Sequence, residues 1–107
     1  MSVETEWKTY NENNWTLQYR KSGYKRYQVR MAYTDKNGSH DNKDRVVMVG
    51  CPFTPDVDQR LVMLMSVSQQ IVGTGNIQFR TDRNVTLSAE EYNNPVTYEC
   101  YGEVIVQ

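Results

Sequence analysis

The sequence predicts an α+β domain of two layers, in which an antiparallel, twisted sheet of about five to six strands carries one main helix, residues about 55–72, on one face. Three observations predict it. Apolar side chains alternate from Trp15 to Tyr19 and again from Tyr27 to Tyr33. Valine is the commonest aliphatic residue, while alanine occurs only at Ala32 and Ala89. Paired helix signals bracket one segment, with Thr54-Pro55 before it and Gly73 after it.

A chain of 107 residues has the length of one domain, so residues 1–107 are read as a single unit. Leu, Ile, Val and Phe number only 22, yet the net charge of −1 is too small for self-repulsion to keep the chain open. The 8 Tyr, 2 Trp and 2 Phe supply the missing apolar area, which implies a thin core with many half-buried tyrosines.

Residues 1–13 hold Trp7 and Tyr10 as their large anchors and read as a frayed arm or a short edge strand. Trp15, Leu17 and Tyr19 then fall at every second position, the spacing of one strand face, and Lys21-Ser22-Gly23 supplies a turn. Tyr27, Val29, Met31 and Tyr33 repeat the alternation, with Arg26, Gln28, Arg30 and Ala32 on the other face. The two strands form a hairpin with an apolar and a basic side. Asp35 to Asn42 is dense in turn residues, with Asn37-Gly38 the strongest hairpin cue. Arg45 to Val49 is β-branched and apolar without alternation, as in a central strand covered on both faces.

In the predicted helix, Val57, Leu61, Leu64, Met65, Ser68, Ile71 and Val72 recur at helical spacing, and Asp56 and Asp58 complement the positive end of its dipole. A competing pattern exists. Leu61, Met63, Met65 and Val67 also alternate, which suits a strand over 60–72 followed by a loop at Gly73-Thr74-Gly75-Asn76. The paired caps favour the helix. Beyond it, Asn76 to Thr81, Val85 to Leu87 and Val96 to Val106 read as strands, the last bent or bulged at Gly102, with a Ser88-capped helical turn through Glu90, Glu91 and Tyr92.

Chemistry has few places to reside. His40 is the sole histidine and lies in the most polar turn, while Cys51 and Cys100 form no CxxC and no metal-ligand spacing. Asp56/Asp58 and Glu90/Glu91 are explained by helix starts. The sequence thus predicts no catalytic residue, no metal and no cofactor, hence a non-enzymatic protein. No 18-residue apolar window and no signal-peptide pattern occur, which predicts a cytoplasmic protein with reduced cysteines and no membrane partner.

The charge distribution is the one functional hint. Residues 20–45 hold eight Lys/Arg against three Asp, and the rest of the chain is acidic. Arg20, Lys21, Lys25, Arg26 and Arg30 interleave with Tyr19, Tyr24 and Tyr27, a pattern able to neutralise an anionic surface and stack on it. Charged strand faces also serve solubility alone. The expected role is a binding protein, self-associating as a homo-oligomer, that engages an acidic partner, protein or nucleic acid. Its partner-binding set is Arg20, Lys21, Tyr24, Lys25, Arg26 and Arg30. A small phage or mobile-element inhibitor would present such a surface. Single-stranded nucleic-acid binding and a structural place in a larger assembly are the alternatives.

Overall fold

Alternation runs further along the chain than the sequence reading allowed, and it decides the architecture. The computed structural model describes residues 6–36, 45–92 and 94–107. Its elements are eight strands: β1 (Lys8–Glu12), β2 (Trp15–Gly23), β3 (Arg26–Asp35), β4 (Arg45–Met48), β5 (Gln59–Val67), β6 (Gln70–Phe79), β7 (Val85–Ala89) and β8 (Val96–Ile105). They form a single antiparallel sheet in the order β1-β2-β3-β8-β5-β6-β7-β4.

The sheet curls until its two ends nearly meet. Past the end of β4, the backbone N–H groups of Val49 and Gly50 donate to the two carboxylate oxygens of Glu12 on β1, at 2.8 and 3.1 Å. Asn13 Nδ2 adds a bond to the Val47 carbonyl at 3.0 Å. Side chains thus link the two edge strands at the seam, where no backbone ladder forms. Gly50 leaves room there for the Tyr10 hydroxyl, which a Cβ at that position would meet at 2.7 Å.

The core lies inside the curl and is strongly aromatic. Trp15, Tyr33 and Tyr98 stack with centroids 5.0, 5.7 and 6.0 Å apart. Tyr19, Tyr27 and Phe79 gather around Phe53. Phe53 comes from the connection between β4 and β5, which closes one end of the barrel-like sheet through a bridge from Pro55 to Val106. Ring faces replace the aliphatic volume the sequence lacks.

The predicted helix at 55–72 is absent, and the α+β class is corrected to all-β. Residues 59–67 form β5 with Met63 and Met65 fully buried and Val62 and Leu64 exposed, so period two prevails over the helical period. The competing strand pattern describes β5 well but misplaces its turn, which lies at Ser68-Gln69. Both residues have positive φ, 50° and 68°, as a tight hairpin of this hand requires. Gly73 sits inside β6 rather than ending a helix, and Gly75 sits inside it rather than in a loop. A Cβ on Gly75 would collide with the Ser88 carbonyl oxygen and lie 2.8 Å from Ala89 Cα.

Smaller corrections follow the same logic. Arg45–Met48 is a terminal strand, paired only with β7, and Val46 is exposed. The Ser88 helical turn is absent, since β7 runs through Ala89 and Glu90 bonds to Thr74 across the sheet. No bulge occurs at Gly102, where β3 and β8 pair without a register shift and Leu61 fills the space above the glycine. Asn37-Gly38 and His40 lie outside the described residues. Among those residues, no helix is long and apolar enough to cross a membrane.

Candidate interaction surfaces

The β2–β3 hairpin places the sequence-predicted residues. Strand β3 buries Val29 and Met31 and exposes Arg26 and Arg30. At the tip the register shifts between Lys21 and Gly23, and Lys25 takes φ 55° while its carbonyl accepts the Val106 N–H at 2.9 Å. That bond ties the tip to the end of the chain and holds a non-glycine residue in the left-handed region. Lys21, Tyr24, Lys25 and Arg26 surround a cleft of about 280 Å³ that Tyr27, Val106 and Gln107 complete. Tyr24 is 82% exposed, and the Lys25 ammonium lies 5.4 Å from its ring centroid. Among the described residues, none of Lys21, Lys25 and Arg26 enters an ion pair.

Arg20 and Arg30 belong to a different arrangement. Their guanidinium carbons lie 4.5 and 4.1 Å from the ring centroid of Trp7, so the indole holds both cations. Gln28 accepts from Arg20 Nε at 2.7 Å and Gln18 from Arg30 Nε at 2.6 Å. The predicted set of six therefore divides into a tip of four residues and a pair fixed on the outer sheet face. Of the three interleaved tyrosines, only Tyr24 offers an open ring. Tyr19 and Tyr27 pack edge to face on each other, 5.7 Å apart, and both meet Phe53.

A second surface escaped the sequence reading. On the outer face of β2, β3, β8 and β5, a groove of about 480 Å³ is lined by Ala32, Arg30, Glu99, Tyr101, Val62 and Leu64 among others. Val62, Tyr101 and Leu64 are 65%, 62% and 39% exposed. Alanine at position 32, between Thr16 and Glu99 in the pairing, leaves the floor open. The signal for this surface was the alternation of Leu61, Met63 and Met65, which turns Val62 and Leu64 outward.

Titratable groups elsewhere serve the fold. Burial pushes the Cys51 thiol up to about 11 and the Cys100 thiol up to about 12, so both stay protonated at neutral pH; both are free. Asp58 accepts the Thr81 N–H at 2.9 Å and Glu90 the Thr74 N–H at 2.6 Å, roles distinct from the helix starts expected of them. Among the described residues, no three His, Cys, Asp or Glu side chains are grouped to hold a metal ion. No family model matches the chain, and no curated protein matches it.

Proposed function

We propose that the protein is a non-enzymatic binding module that engages an acidic protein surface through the tip of the β2–β3 hairpin. One observation carries the reading: Lys21, Lys25 and Arg26, without anionic partners among the described residues, flank the exposed ring of Tyr24 on a tip braced by the Val106 bond. A braced tip loses little conformational entropy on binding, and its cations attract an acidic partner over a distance of about 8–10 Å at physiological salt. Tyrosine supplies contact area beside them. A single-stranded nucleic acid needs successive stacking platforms, and with Tyr19 and Tyr27 committed to the core the tip offers one.

The test uses two fluorescent probes, a glutamate-rich peptide and an oligothymidylate of equal charge, in anisotropy titrations with the full chain. The peptide binds more tightly, its affinity falls as salt rises, and Lys21→Glu with Arg26→Glu weakens it about tenfold or more. Equal loss for both probes, or no effect of the substitutions, contradicts the proposal.

A further inference from the structure

Beyond the hairpin tip, the outer groove carries an inference of its own: we infer that the exposed face of β2, β3, β8 and β5 is the interface of a symmetric homodimer.

The occupant follows from the charges the face presents. A two-fold interface brings one patch against itself, so every group must find its complement within the same patch. Here Arg30 on β3 lies opposite Tyr101 on β8, and Glu99, two residues before Tyr101, lies opposite Ala32. The cation and the carboxylate therefore occupy the two ends of a diagonal, with Tyr101 and Ala32 at the ends of the other. A two-fold axis along the Tyr101–Ala32 diagonal sets each Arg30 against Glu99 of the second copy. Glu99 is exposed beside Leu64 and has no cationic partner among the described residues. Arg30 is held in place by the Trp7 ring and the Gln18 bond to its Nε. An acidic partner would leave Glu99 opposed by like charge, and a basic one would repel Arg30. A second copy satisfies both.

The apolar content fits the same occupant. Tyr101 and Val62, with Leu64 between Glu99 and Thr74 in the pairing, form a continuous patch next to the open floor at Ala32. On that axis Tyr101 of each copy meets Tyr101 of the other, beside the open floor at Ala32. Aromatic and Arg side chains over an apolar floor are the usual composition of a central hot spot.

Light scattering on the full chain, from micromolar to millimolar concentration, tests the inference. The wild type reaches twice the chain mass. Arg30→Glu and Glu99→Arg each raise the dimer dissociation constant about tenfold or more, and the double variant recovers the dimer. Val62→Lys, at an exposed site, gives a monomer with unchanged far-ultraviolet circular dichroism, which separates loss of the interface from loss of the fold. Lys21→Glu with Arg26→Glu leaves the dimer intact, so failure of the hairpin proposal and failure of this one are told apart. A wild type that stays monomeric throughout, a charge swap that fails to restore association, or a Val62→Lys variant that still dimerises overturns the inference.

Discussion

Glu12 shows how one side chain can do the work of a strand ladder. Its carboxylate accepts the N–H groups of Val49 and Gly50 and the Tyr10 hydroxyl, the last at 2.6 Å. The Tyr10 hydroxyl above all, against burial and with the help of the two backbone donors, holds the Glu12 carboxyl below its usual range, and the same bond raises Tyr10. A depressed carboxyl stabilises the fold at pH values above its unfolded value, about 4.3, and loses that contribution as pH falls through the lower folded value. Tyr10, being raised, contributes below about pH 10 and loses its share above it. Glu12→Ala removes three bonds in a half-exposed setting. At about 1 kcal/mol or less each, a loss of about 1–2 kcal/mol is expected at pH 7. Denaturation midpoints measured against pH should show the deficit shrinking toward zero in acid. A deficit that is constant with pH would mean that the carboxylate charge does not close the seam.

At the scale of elements, the β5–β6 hairpin is the informative case, because its sequence satisfied two periods at once. Leu61, Leu64 and Met65 stand at helical spacing while Leu61, Met63, Met65 and Val67 stand at strand spacing, and cap-like residues tipped the reading toward helix. Those residues have other duties: Pro55 bridges to Val106, and Gly73 and Gly75 accept close approach by Met65, Met63 and the β7 backbone. Such contacts join positions far apart in the chain, so local sequence could not reveal them. The β2 and β3 strands are legible because their alternation is unambiguous, but the turn falls at Tyr24-Lys25 and not at Lys21-Ser22-Gly23. The same contrast governs the surfaces. The tip residues 21–26 are contiguous, so the sequence can single them out as a candidate, whereas the groove gathers β3, β5 and β8 from distant segments and takes shape only in the fold. Two substitutions check the hairpin. Gly75→Ala should cost about 1–3 kcal/mol by forcing the β7 backbone or Met63 aside. Ser68-Gln69→Asn-Gly should add about 0.5–1 kcal/mol, because asparagine and glycine adopt positive φ with less strain. Thermal melts of both variants read the signs, and a stabilising Gly75→Ala would contradict the packing described.

The whole molecule separates its tasks. An aromatic interior and a seam locked by Glu12 hold the curled sheet, the outer face of β2, β3, β8 and β5 carries the groove proposed to receive a second copy, and the β2–β3 tip carries cations without an ion pair among the described residues at a site braced by Val106. With a net charge of −1, the proposed recognition relies on the local positive charge of that tip. The most direct measurement is an amide chemical-shift titration of the isotope-labelled chain with the glutamate-rich peptide. Shifts confined to residues 21–27 and 106–107, vanishing as salt rises, are the predicted result. Shifts centred on Val62, Glu99 and Tyr101, or spread evenly over the surface, would contradict the assignment of the tip as the binding site.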